Sequence, residues 1–281
     1  MAYNRSKELR RLVDQWVEQS DEWFRTEDIW RQYNVLTTDG KEVVWQRLKE
    51  LVETKLIEKS GMRYRHIDSD MDEVDVFQEA HFVSIHYPFP FEELFRMSEK
   101  SVMVVAGGSD AGKTALLLNI AYQNMDDWEV HFFNSETGVA LLQERLLGLG
   151  NLPNPLPFKI WERMDNFADV IRPAALNIID YLDMDSEVYM VGAEIKKILK
   201  ALNKGVAIIG LQKPSGRDLG YGGAFSLKKA EVYLSMDSNK LKIIKAKSRV
   251  NPKVNPVNKQ WSFQLDDTGS KFIKIQEVWG D

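Results

Sequence analysis

Two hydrophobic rhythms divide the chain. Across residues 6–20 the apolar side chains Leu9, Leu12, Val13, Trp16 and Val17 recur at steps of three and four, which puts them on one face of a helix. Thr26 is placed to cap a second helix over residues 27–33, with Glu27 and Asp28 in its first turn. Thr38-Asp39-Gly40 reads as a turn or cap. A third helix is predicted over residues 43–55, carrying Val44, Leu48, Leu51 and Val52 at helical spacing. Residues 56–66 read as a short hairpin turning at Ser60-Gly61.

Past residue 87 the rhythm changes. Short apolar runs at 102–106, 129–134, 175–180 and 206–211 predict buried strands. Helices are predicted between them at 115–121, 139–149 and 194–202, with a further short helix over 92–97 and a short strand at 159–161. Strands alone follow, at 232–236, 241–246, 261–264 and 272–275. Alternating strand and helix followed by strands predicts an α/β core, a parallel sheet extended by antiparallel edge strands. Pro88-Phe89-Pro90-Phe91 leads into that core. The first segment, three short helices and a terminal hairpin, resembles a winged helix-turn-helix. The expected organisation is therefore a winged-helix domain over 1–66, an acidic linker over 67–86 holding Asp68, Asp70, Asp72, Glu73 and Asp75, and a core over 87–281. Trp23, Trp30 and Trp45 are expected inside the winged unit.

Composition narrows the chemistry. Cys is absent, which excludes disulfides, thiol catalysis and Cys-based zinc sites and fits a reducing compartment. The first residues, MAYNRSKELRR, lack the apolar stretch of a signal peptide, and no run reaches the roughly 18 apolar residues of a membrane span. A cytoplasmic location without membrane partners is expected. His81 and His86 have no third ligand nearby, so no metal site is expected there. The formal charge of −5 hides an asymmetry: residues 195–281 carry 17 Lys+Arg against 7 Asp+Glu, a surface suited to a polyanion.

The strongest motif lies between a predicted strand and a predicted helix. Gly107-Gly108-Ser109-Asp110-Ala111-Gly112-Lys113-Thr114 is G-x-x-x-x-G-K-[ST] in its required setting. A loop poor in side chains lets backbone N–H groups approach phosphates, and the following helix presents its positive end to the same anion. Lys113 is then placed for the β- and γ-phosphates and Thr114 for Mg²⁺. Three more polar residues end predicted strands: Glu136, Asp180 and Gln212. Ligands of such sheets sit beyond the carboxyl ends of the strands. Asp180 follows an apolar run and suits Mg²⁺ held through water. Glu136 suits a base or orienting group for attacking water, and Gln212 a hydrogen-bonding sensor of the γ-phosphate. ATP hydrolysis with Mg²⁺ is the chemistry expected.

These residues also carry a family resemblance. The phosphate loop, Ser135-Glu136, Arg145, Ile178-Ile179-Asp180-Tyr181-Leu182, a Lys-rich helix and Gln212 follow one another in an order that resembles the RecA-type ATPase domain of DnaB-like hexameric helicases, over about residues 87–264. The resemblance implies a RecA-like P-loop core and a homo-oligomer, a hexamer in that family. It implies that Lys247 and Arg249, which match a Lys-x-Arg pair, reach the γ-phosphate bound by a neighbouring subunit. It also implies single-stranded DNA binding by loops after the Asp180 and Gln212 strands. The second loop fits, with Lys213, Arg217 and Tyr221 among glycines. The first departs, because Asp183, Asp185 and Glu187 repel phosphates. Leu211-Gln212 replaces the more usual Ser-Gln, and the winged unit replaces a helical primase-docking domain. The third helix of a winged helix often enters the major groove. Lys41 and Arg47 on that helix and Arg63 on the wing are the duplex-DNA candidates, the other use of such a unit being to dock a replication protein. The reading is a Mg²⁺-dependent ATPase acting on DNA as a helicase-like replication motor. Two alternatives stand beside it: a recombinase- or loader-type ATPase that does not unwind, and a winged-helix DNA-binding regulator switched by ATP.

Overall fold

The computed structural model describes residues 2–20, 23–67, 77, 81–182 and 191–278. The carboxylates at 68, 70, 72, 73 and 75 and the acidic loop of Asp183, Asp185 and Glu187 lie outside the described residues. The chain divides into two compact units, Met1–Gln78 and Glu79–Asp281.

In the first unit the elements run α1 (Ala2–Gln19), β1 (Phe24–Arg25), α2 (Thr26–Gln32), α3 (Thr38–Glu53), β2 (Ile57–Ser60) and β3 (Arg63–His66). The three strands form an antiparallel sheet in the order β1-β3-β2. Val13, Val17, Ile29, Val44, Leu48 and Ile57 fill the core that the helical spacing predicted, with Phe24 and Tyr64 from the sheet. α3 starts earlier than predicted. Thr37 is its N-cap, accepting the Gly40 N–H at 3.2 Å, so Thr38-Asp39-Gly40 is the first helical turn. Thr26 is not a cap: it is the first residue of α2, and the Asp28 carboxylate accepts the Arg25 N–H at 2.7 Å instead. Trp23 and Trp45 are also not core residues, being 42% and 46% exposed. Other side chains already fill the small core, and cations lie over these rings instead, Arg65 over Trp23 and Lys49 over Trp45.

The second unit contains β4 (Phe82–Val83), β5 (Phe95–Ser98), β6 (Ser101–Gly107), α4 (Lys113–Gln123), β7 (Val130–Asn134), α5 (Val139–Leu149), β8 (Lys159–Glu162), β9 (Leu176–Asp180), α6 (Val191–Ala201), β10 (Val206–Gln212), α7 (Ala224–Lys229), β11 (Val232–Asp237), β12 (Lys240–Ala246), β13 (Ser248–Arg249), β14 (Gln260–Leu265) and β15 (Phe272–Val278). Among the described residues nine strands form one sheet, ordered β15-β14-β12-β11-β6-β10-β9-β7-β8. From β11 to β8 the pairs are parallel, and β12, β14 and β15 extend the sheet antiparallel. This is the predicted layout. The central strands are buried on both faces, which is why they read as continuous apolar runs. α4 and α5 cover one face, and α6 with α7 the other.

Two stretches differ from prediction. Residues 92–97 are not a helix: a single 3₁₀ turn, Phe91–Glu93, leads into β5, where Phe95 and Met97 point into the core at the two-residue period of a strand. Residues 82–83, assigned to the linker, pair with β5, and β13 pairs on its other side. Phe89 and Phe91 anchor this segment by stacking on each other and meeting Trp261 edge-on. Among the described residues no helix is long and apolar enough to cross a membrane.

Candidate functional site

The parallel register brings the predicted strand ends together. Gln212 pairs with Gly107 and Asn134 with Asp180, so the carboxyl ends of β6, β7, β9 and β10 share one edge. Ser135 ties two of them tightly: its N–H donates to the Asp180 carbonyl at 2.9 Å, and its hydroxyl accepts the Tyr181 N–H at 2.9 Å. Sequence spacing marked Ser135 only as the neighbour of Glu136.

The phosphate loop is shaped by its glycines. Gly112, just before α4, has φ +90°, a left-handed conformation that disfavours any side chain. At Gly107 an added Cβ would lie 2.8 Å from Lys113 Cγ, so the lysine could not fold as it does. Lys113 is buried, and its Nζ donates to the Gly107 and Gly108 carbonyls at 3.0 and 2.8 Å. Burial lowers its pKa, opposed by the negative charges of Asp180, Glu136 and Asp110.

Asp180 is 2% exposed, and its Oδ2 is buried with no hydrogen-bond partner. Burial raises its pKa to about 6, against the hydrogen bond from Thr114 and the charges of Lys113 and Arg145. An orphaned buried carboxylate oxygen beside a threonine hydroxyl is a hard-oxygen donor set, and it fits Mg²⁺. Thr114 and Asp180 are the residues that would hold the ion. A cavity of about 460 Å³ opens at Thr114, lined also by Asp110, Lys113, Glu136, Arg145 and Gln212 among others. Arg145 also lines this cavity, and strand-end reasoning missed it. It sits one helical face along α5 from the Glu136 turn, and its buried Nε also lacks a partner. The signal was its spacing of nine residues from Glu136.

The raised Asp180 pKa has a consequence for stability. The folded state holds this proton more tightly than the unfolded chain, so stability is lost as pH rises from about 4 to about 6. In metal- and nucleotide-free protein, Asp180→Asn is expected to stabilise by roughly 2–3 kcal/mol near pH 8 and by close to nothing near pH 4. Denaturant titration of both proteins at the two pH values checks this, and a gain that does not depend on pH would contradict it.

Other predicted residues are placed elsewhere. Met236 pairs with Gly107, but Val232 pairs with Met103 and Ala246 with Val232. Lys247 and Arg249, just beyond, therefore lie at the opposite end of the sheet from the chain's own phosphate loop. Lys213, expected at the surface of its loop, is buried. It is 4% exposed, its Nζ lies 2.8 Å from Asp237 Oδ1 and donates to the Arg217 carbonyl, and its N–H is held by Gly107. Arg217 and Tyr221 in the same loop are exposed. Arg47 is likewise engaged, bidentate to Asp14 at 2.7 and 3.0 Å and bonded to Glu50 at 2.9 Å, where Arg10 also pairs. These partners come from α1 and from the same helix, which the reading of α3 alone could not anticipate. Lys41 lies over the Trp30 ring, and Arg63 is exposed on β3.

No protein-family model and no curated protein matches the chain. Among solved structures the chain is similar to a KaiC-like protein from the hyperthermophilic archaeon Pyrococcus horikoshii OT3, at 16% identity and a TM-score of 0.52, over 70% of this chain and 100% of that one. At that identity the likeness concerns the fold, and with the sheet order and phosphate loop it makes the second unit a RecA-like core.

Proposed function

We propose that the chain is a Mg²⁺-dependent ATPase that works on DNA as a homo-oligomer, its first unit being a winged helix. The observation that carries the nucleotide chemistry is the unpartnered buried oxygen of Asp180, whose carboxylate is hydrogen-bonded by Thr114 and faces the charge of Lys113, two residues that line one cavity with Glu136 and Gln212. In this mechanism the loop N–H groups and the end of α4 cradle the phosphates. Lys113 exchanges its two carbonyl partners for phosphate oxygens. Thr114 and Asp180 would hold Mg²⁺, which would supply neutralisation of developing phosphate charge. Glu136, exposed at the mouth of the cavity, orients a water in line with the γ-phosphorus and takes its proton. Gln212 donates to a γ-phosphate oxygen. Lys247 and Arg249, remote from their own loop, serve the loop of a neighbouring copy, which is the support for an oligomer and, by the family resemblance, for a hexameric ring.

The test is Lys113→Ala with a fluorescent ATP analogue and Mg²⁺. Loss of the charge-assisted bonds is expected to weaken binding by about 10- to 100-fold, and unchanged affinity would remove the phosphate site from this loop. The DNA role is supported by exposed Arg217 and Tyr221 and by the basic final third. One observation favours the alternatives that do not unwind: Lys213 and Arg47 are spent on ion pairs within the chain. A forked-duplex unwinding assay with ATP separates a helicase-like motor from a loader or an ATP-switched regulator.

A further inference from the structure

Glu231 is a buried carboxylate that the phosphate site does not use. It is 7% exposed and sits just before β11, at the end of the sheet away from the phosphate loop. Among the described residues no cation pairs with it. Its donors are instead three neutral groups: the Ser98 hydroxyl at 2.8 Å, the Ser98 N–H at 3.2 Å and the Ser248 hydroxyl at 3.3 Å. A buried carboxylate without a counter-ion is costly, and hydrogen bonds to it are stronger than those between neutral groups. All of its donors belong to β5 and β13. The Glu231 backbone is fixed as well, its N–H donating to the Val102 carbonyl at 2.8 Å and its carbonyl accepting the Lys247 N–H at 3.1 Å. Glu231 thus joins β6, the strand that carries the phosphate loop, to the segment that holds Ser248.

That segment needs such a tie. β13 is two residues long, paired only to Phe95 and Arg96, and a strand so short does not hold itself in place. Ser248 turns inward to Glu231, so the two-residue period of extended chain turns Lys247 and Arg249 the other way. The Arg249 carbonyl accepts from Arg96 at 3.3 Å, and the Val250 N–H donates to the Leu94 carbonyl at 3.2 Å.

We infer that Glu231 is a positioning residue for the neighbour's active site: by gripping Ser248 it fixes the direction in which Lys247 and Arg249 reach the nucleotide of the next copy. This rests on the reading that those two cations act between subunits. Glu231→Gln keeps the shape but weakens the grip, and Ser248→Ala removes only the link. Each is expected to lower kcat of the homogeneous protein by about 10- to 100-fold, as misplacement of a catalytic group does, with KM for ATP unchanged. The deciding measurement is mixing. Each variant is combined with Glu136→Gln, whose own site is inactive but whose Lys247 and Arg249 are intact, and Arg249→Ala with Glu136→Gln serves as the control. Recovery of turnover in the Glu231 and Ser248 mixtures supports the inference, because a general folding defect would persist beside an intact neighbour. Recovery in the control alone overturns the role of Glu231 and leaves the action between subunits standing. Recovery in none of the mixtures overturns the underlying reading, and full activity of homogeneous Glu231→Gln overturns the inference directly.

Discussion

Exchanging Glu136 for glutamine is expected to lower ATP turnover by about 10²- to 10⁴-fold while ATP binding stays nearly unchanged. The side chain projects from the turn that follows β7, beside the cavity over Lys113 and Thr114, and is exposed where water can reach it. Glutamine keeps the length and one acceptor oxygen but cannot take a proton at working pH. In the proposed mechanism the ground-state grip on the phosphates belongs to the loop and Lys113, so affinity and turnover should separate. Single-turnover hydrolysis measured beside equilibrium binding of ATP reads both. Parallel loss of binding would mean that Glu136 shapes the site rather than acting on water, and full turnover would move the base elsewhere in the cavity.

Arg249→Ala is expected to cost about 10³-fold in turnover, the lower end of what a cation delivered from a neighbour contributes, since Lys247 remains. The defect should be complemented. In a mixture with Glu136→Gln, some interfaces join an intact Glu136 to an intact Arg249, and turnover should rise above that of either variant alone. The ground for this is topological. Ala246 pairs with Val232 and Val232 with Met103, four residues before Gly107 on β6. Over those four residues a strand advances by about 13 Å, well beyond direct contact with the chain's own γ-phosphate. Activity that needs Arg249 yet is never restored by mixing would place the arginine in its own site and remove the requirement for a neighbour.

The parts of the fold legible in the sequence were those whose causes are local. A phosphate loop needs glycines at particular backbone angles and a lysine at a particular step, so its residues announce it. A strand buried on both faces is mostly apolar, and 102–106, 175–180 and 206–211 read that way, the buried Asn177 being satisfied by the Arg172 and Ala175 backbone. β5 was misread as helix because Phe95 and Met97 suit either period over so short a stretch. α3 starts before the predicted turn because the Thr37 side chain caps it, which carries Gly40, a poor helix residue, into the first turn. Trp23 and Trp45, expected inside, lie at the surface beside cations, the core being filled by other side chains.

By itself the sequence determined the local pattern: the glycines and Lys113 of residues 107–114 between a strand and a helix, and polar residues at strand ends. Only the tertiary structure decided which charges are at liberty to act. Lys213 and Arg47 have the same composition-level signature as Arg217 and Lys41, yet residues distant in sequence, Asp237 and Asp14, neutralise them. Backbone preference depends on neighbours along the chain, whereas a charge responds to whatever lies within a few ångströms of it. The packing of the whole chain sets that environment.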